Sequence, residues 1–254
     1  MTSGERASAP RPRRGRPART PAALRPALAW LGRHVRGLRT ALGLYLLAGL
    51  GLALAALAGF AELAEHVMEG ATQRFDEAVL LWMDTHSSPR LTTLALEVTA
   101  LGSIAAVGLV LFLASVLFWT MGRRYSVLLL WVAVVGGVAL NYALKALFSR
   151  PRPQLFEWRV PHAGASSFPS GHAMTAAVVY GTLAYLLTRL ALGRGARIGV
   201  WLVLLGVVLL VGASRLYLGV HYPSDVVAGF GAGFAWAAVC AVGLEVVRYF
   251  RARR

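Results

Sequence analysis

Residues 198–217 read IGVWLVLLGVVLLVGASRLY, twenty positions whose only charge, Arg215, lies near the far end. A helix needs about that many apolar residues to cross the hydrocarbon core of a bilayer. Outward from this stretch the pattern recurs at roughly 41–63, 100–121, 126–147, 171–192 and 224–246. Tight turns at Gly122–Tyr125 and Leu192–Arg197 join neighbouring runs, and no second domain is visible. The composition agrees: 57% of residues are hydrophobic and 15% charged, with a mean hydropathy of +0.60. Soluble domains carry about 25% charged residues. The sequence therefore predicts an all-α fold, a polytopic membrane bundle of six transmembrane helices over 41–246.

A net charge of +15 invites a nucleic-acid reading, but the placement of the charge excludes that partner. Ten of the 26 basic residues fall in the first forty positions, and most of the others flank apolar runs. With both termini inside, one side of the membrane collects 19 basic and two acidic residues, the other seven basic and nine acidic. The positive-inside rule then puts both termini in the cytoplasm. Segments 64–99 and 148–170 and the turn at 218–223 face out, from a multi-pass protein of the plasma (inner) membrane. Residues 1–40 read as a disordered basic tail with a short amphipathic stretch from about Ala27, and 247–254 as a second basic tail. Within 64–99, Phe75 to Asp84 reads as a helix lying along the interface, with Phe75 and Trp82 at headgroup depth. Glu62, Glu65 and Glu69 read as a solvated rim. Cys240 stands alone in an apolar run, so no disulfide within the chain can form, and inert packing is expected.

Three polar clusters remain, all at the outer ends of predicted spans. The first is Lys145 followed by Arg152-Pro153, the second Pro169-Ser170-Gly171-His172, and the third Ser214-Arg215, His221 and Asp225. Ionisable groups at such positions need an explanation. Lys145, Arg152 and Arg215 suit an anion with several oxygens, the arginines as planar forks and the lysine as a point charge. Ser170 and Gly171 open the fourth span, where backbone N–H groups and the helix dipole favour negative charge. Of two histidines, one can attack phosphorus and the other can protonate a leaving oxygen. Asp225, four residues after His221, is placed to orient its ring. Lys145 is the only lysine in a chain that uses arginine at every other basic position.

Other polar residues carry plainer readings. Arg90, Arg150 and Arg159 read as interfacial anchors that snorkel towards headgroups. His86 and His162 read as solvated loop histidines. Asn141 reads as a helix–helix hydrogen-bonding residue, and Gly229 with Gly233 as a small-residue packing pair.

The three clusters resemble the three-part signature of the type 2 phosphatidic acid phosphatase superfamily, with all eleven specified residues in order and in register across 81 positions. The six-span layout is similar to the membrane branch of that family. The resemblance implies His221 as a nucleophile that forms a phosphohistidine and Asp225 as the residue holding its ring. It implies His172 as proton donor and then as activator of water. Lys145, Arg152, Ser170, Gly171 and Arg215 would bind the phosphate. It implies no metal and no cofactor, and the outer face offers no separate carboxylate or His/Cys ligand set. The implied substrate is a lipid phosphate or pyrophosphate, such as undecaprenyl pyrophosphate, phosphatidylglycerophosphate or phosphatidic acid. A phosphotransferase acting through the same phosphohistidine is the alternative. A transporter would need polar groups near the midplane, where the inner spans offer little beyond Asn141.

Overall fold

The structure, a computed structural model, describes residue 47 and residues 49–51, 53–160 and 164–251. The chain divides into two compact units, Met1–Tyr45 and Leu46–Arg254, and every described residue belongs to the second. The basic tail with its stretch from Ala27, the last three residues and His162 lie outside the described residues.

The secondary structure is all helix, with no strand among the described residues. The helices are α1 (Gly49–Met68), α2 (Gln73–Thr85), α3 (Pro89–Ala100), α4 (Ile104–Thr120), α5 (Arg124–Phe148), α6 (Gly171–Thr188), α7 (Arg194–Tyr217) and α8 (Pro223–Arg251). By length and composition α1, α5, α7 and α8 can each cross a membrane, and α3 with α4 makes a fifth candidate if the bent pair acts as one span. Four or five such helices make this a multi-pass membrane protein.

Two features depart from the expected layout. The sequence puts the second span at 100–121 and 64–99 in an outward-facing segment. Instead α3 occupies 89–100 and meets α4 at a 46° bend. Its start is fixed by Pro89 at the first helical position and by Ser88, whose Oγ accepts from Leu91 N. Ser103 restarts the chain in the same way, its Oγ accepting from Ala106 N. The mixed polar pattern of 86–99 hides this helix, which packs on α7 and the loop after it through Ala95, Tyr217, Leu218 and Val220.

The second feature is α6, only 18 residues long and interrupted by His172, two tyrosines and three threonines. It lies against α5, α7 and α8, with an unbroken buried run from Ala176 to Thr182. A helix enclosed by other helices meets little lipid, so its composition need not be strongly apolar. The lipid-facing work falls to its neighbours: Leu202 and Val203 on α7 are each 66% exposed. Between α6 and α8 the approach is very close. A Cβ added at Gly229 would stand 2.7 Å from Ser170 O, and one at Gly233 would stand 2.6 Å from Met174 O. This is the packing expected of the pair, and it sets the N-termini of α6 and α8 side by side.

Candidate active site

Lys145 sits in the last turn of α5. That helix stops because Ser149 adopts a left-handed conformation (φ 44°), its Oγ donating back to Ala146 O, and because Pro151 and Pro153 then forbid helix. The extended chain turns over the bundle end, and the cations are tied to its carbonyls. Lys145 Nζ donates to Ser166 O at 2.7 Å. Arg152 donates to the same oxygen at 3.1 Å, to Val220 O at 2.6 Å and to Gly164 O. Its Nη1 also lies 3.2 Å from His221 Nε2.

His221 belongs to the short loop between α7 and α8. The loop needs glycine at position 219 twice over: φ is +77°, and a Cβ would stand 2.5 Å from the Phe156 ring. His221 is almost wholly buried, and its Nδ1 faces Asp225 Oδ2 across 3.5 Å with no other partner. At that separation the carboxylate orients the ring by charge more than by a full hydrogen bond. Burial pushes the ring from its ordinary 6.5 down to about 3; the Asp225 carboxylate pulls the other way, and Arg152 and Arg215 act with the burial. The imidazole is therefore neutral at physiological pH.

Asp225 is the third residue of α8, which opens with Pro223. Its Oδ2 accepts the Tyr222 backbone N–H at 2.9 Å, reaching back over the first turn as the acidic member of a capping box does. The Asp225 carbonyl accepts from Ser170 N at 2.9 Å and so ties the start of α6 to that of α8. No side chain caps α6. Ser170 Oγ, although buried, has no partner among the described residues. Gly171 faces Asn141, whose Oδ1 would lie 3.1 Å from an added Cβ, and Asn141 Nδ2 reaches Met174 Sδ at 3.4 Å. Asn141 thus joins α5 to α6, as expected. His172 is half-buried against Gly102, within electrostatic reach of Arg215, Arg152 and Lys145. Arg215 donates from Nη1 to Thr99 Oγ1 at 2.9 Å, and its Nε has no partner among the described residues.

All eight residues singled out in the sequence thus lie at one end of the bundle, linked by contact or by charge. Among the described residues, four buried side-chain polar atoms lack a protein partner. Three of them, Ser170 Oγ, Arg215 Nε and His221 Nδ1, are here. His221 Nδ1 faces Asp225, and buried polar groups are almost always satisfied, so Ser170 Oγ and Arg215 Nε mark a place where polar groups are held ready for something else. No three His, Cys, Asp or Glu side chains among the described residues come together as a metal site.

Arg150 corrects the sequence reading. It is no snorkelling anchor. It is 6% exposed and held between two carboxylates, Asp225 Oδ1 at 2.6 Å and Asp76 Oδ2 at 3.0 Å, with its guanidinium over the Tyr222 ring. The pull of two buried anions outweighs that of headgroups. Arg159 is likewise committed to protein, donating to Tyr217 O and to Asp84. Asp76 was missed altogether. It is fully buried on the inner face of α2, while Phe75 and Trp82 on the same helix are 67% and 58% exposed. The only hint in the sequence was an acidic residue one turn after Thr72, whose hydroxyl does donate to it.

Known proteins resemble this chain in sequence and in fold. The family model described as "PAP2 superfamily" matches residues 126–248. The chain is 32% identical to phosphatidylglycerophosphatase B of Bacillus subtilis over 68% of its own length and 85% of that protein's. It is 36% identical to the undecaprenyl-diphosphatase BcrC of the same organism, over 49% of this chain and 60% of that one. Among solved structures, a transmembrane PAP2-type phosphatidylglycerolphosphate phosphatase from B. subtilis superposes with a TM-score of 0.72 at 29% identity. That match covers 77% of this chain and 96% of the other.

Proposed function

The chain belongs to the PAP2 superfamily and is a phosphate hydrolase, and on that footing we propose that it removes phosphate from a membrane lipid through a phosphohistidine on His221. The observation that carries this reading is the placing of a neutral, sealed imidazole against Arg152, with Lys145 bonded to the same carbonyl as that arginine. Asp225 faces Nδ1, so Nε2 is the atom left to attack. A bond forms from Nε2 to phosphorus as the bond from phosphorus to the lipid-side oxygen breaks, and His172 gives that oxygen its proton. Water then attacks the phosphohistidine, His172 takes up the proton, and inorganic phosphate leaves with His221 restored. Equatorial oxygens of the transferring group carry the spread charge. Lys145, Arg152 and Arg215 meet that charge, together with the uncapped start of α6 at Ser170 and Gly171. These fixed cations do the neutralising that a metal does elsewhere, so the reaction proceeds without one.

The topology proposed with this chemistry counts α6 as a sixth span in the 41–246 domain. Both basic tails then lie in the cytoplasm and the site opens on the extracytoplasmic side of the plasma membrane. Support comes from the 19-to-7 division of basic residues. The deciding experiment is phosphate release by the purified protein from undecaprenyl pyrophosphate, phosphatidylglycerophosphate and phosphatidic acid, with excess EDTA present. Release from at least one lipid is expected. Activity that vanishes in EDTA and returns only with magnesium would falsify the metal-free reading, and phosphate passing to an added acceptor in preference to water would make the protein a transferase.

A further inference from the structure

The carboxylate that orients His221 is itself held, by groups outside the three clusters. Asp225 Oδ2 is engaged by Tyr222 N and faces the histidine; Asp225 Oδ1 is engaged by Arg150 Nη1 at 2.6 Å. Arg150 Nη1 also donates to Ser224 Oγ at 2.8 Å, and Nη2 donates to Asp76 Oδ2 at 3.0 Å and to Gln73 Oε1 at 3.3 Å. Asp76 closes the circuit. Its Oδ1 accepts Ser224 N at 3.0 Å, and its Oδ2 accepts Ser224 Oγ at 2.5 Å. Asp76 therefore caps α8 from another helix, taking an N–H of the first turn that α8 cannot satisfy itself. Arg150, Asp76 and Asp225 are at most 6% exposed, so none of these charges is screened by water.

We infer that Asp76 and Arg150 are positioning residues for the phosphoryl-transfer step: they fix the Asp225 carboxylate, and through it the reactive orientation of the His221 ring. The chain of contacts runs Asp76, Arg150, Asp225, His221 and ends at Arg152 on the far side of the imidazole. A single guanidinium planted between two carboxylates leaves Asp225 one rotamer. With Arg150 gone, Asp225 is free to turn and its hold on Nδ1 loosens. Arg150 precedes Pro151 and Arg152, so the two arginines that bracket the His221–Asp225 pair come from one extended tripeptide. Neither Asp76 nor Arg150 touches the phosphorus, and their effect is on the rate of attack, not on substrate affinity.

The inference rests on His221 acting as the nucleophile, and the experiment separates the two. The full chain in detergent is given an aryl phosphate, and the rate of covalent phosphoenzyme formation, KM and thermal midpoint are measured. The proteins compared are wild type, Asp76→Asn, Asp225→Asn and the double variant. Asp76→Asn should slow labelling about 10-fold with KM within about twofold, and should cost under about twofold once Asp225 is already Asn, because coupled residues are not additive. Arg150→Lys, which keeps a cation, should be faster than Arg150→Gln. If Asp76→Asn does not fold, Ser224→Ala reads the same circuit, removing the hydroxyl between Asp76 and Arg150 while keeping the capped N–H. An equal loss from Asp76→Asn in both Asp225 backgrounds, a change in KM alone, or wild-type labelling rates in Asp76→Asn or Ser224→Ala would overturn the positioning role. Full labelling in Asp225→Asn would overturn it as well, whereas no phosphoenzyme in wild type, or labelling that survives in His221→Ala, would instead remove the nucleophile reading beneath it.

Discussion

The N-termini of α6 and α8 lie side by side, joined by the bond from Ser170 N to the Asp225 carbonyl, yet they are finished in opposite ways. That of α8 is closed twice, by Asp225 on Tyr222 N and by Asp76 on Ser224 N. Among the described residues, that of α6 has no side-chain cap, and the hydroxyl at its cap position has no partner. The same split divides the histidines. His221 is 2% exposed and lies between Asp225 and Arg152, whereas His172 is half-buried and no described residue hydrogen-bonds its ring. On the proposed mechanism the closed helix start holds the attacking group still, and the open one keeps its dipole and donors for an incoming anion. The comparison shows how two similar helix starts, one with its donors satisfied by the protein and one without, are suited to different tasks, holding a group and binding one.

The sharpest way to break this division is to exchange the histidines' expected losses. His221→Ala should take both turnover and covalent labelling below detection. Labelling that survives in His221→Ala and disappears in His172→Ala would reverse the two roles. The next effect in size belongs to the open side. His172→Ala should lower turnover of a natural lipid phosphate by about 10²–10⁴-fold, the usual value of a positioned proton donor. With nitrophenyl phosphate, whose leaving group is stable as an anion, the labelling step should suffer far less. Equal losses with both substrates would show that His172 does something other than deliver a proton.

The smallest effect reports on the sealed side alone. His221 binds its proton near pH 3 when folded and near 6.5 when free, so between those values the unfolded chain holds the extra proton. The ring's contribution to stability is then complete above about pH 6.5 and is lost as the pH falls toward 3, at no more than about 1.4 kcal/mol per pH unit. Thermal midpoints measured from pH 7 to 4 should fall more steeply for wild type than for His221→Gln. Parallel curves would mean that the ring is not held neutral.

How much of this was legible in the sequence follows from what kind of signal each residue leaves. Most of the eight candidate site residues stood out because ionisable groups at the ends of apolar spans are conspicuous, and because one lysine among arginines is; Ser170 and Gly171 stood out because they open a span. Arg150 and Asp76 left no such mark. A carboxylate on an amphipathic helix gives the same pattern whether its polar face meets water or a buried guanidinium, and one more arginine at a helix end looks like an anchor. The pairing that distinguishes them spans 74 positions and exists only after α2 has folded down on α8. For α3 the reason is similar: an unremarkable mixed segment becomes a helix because Ser88 and Pro89 start it and α7 gives it a surface.

The glycine seam between α6 and α8 has a consequence best put in terms of dimensional tolerance. Both helix starts are measured from one shared datum, the contact of Gly229 and Gly233 with the backbone at Ser170 and Met174. Errors in the connecting loops therefore do not add up along the chain to reach the gap between Ser170 and His221. A single methyl group at 229 or 233, one or two turns below the site, changes that gap directly.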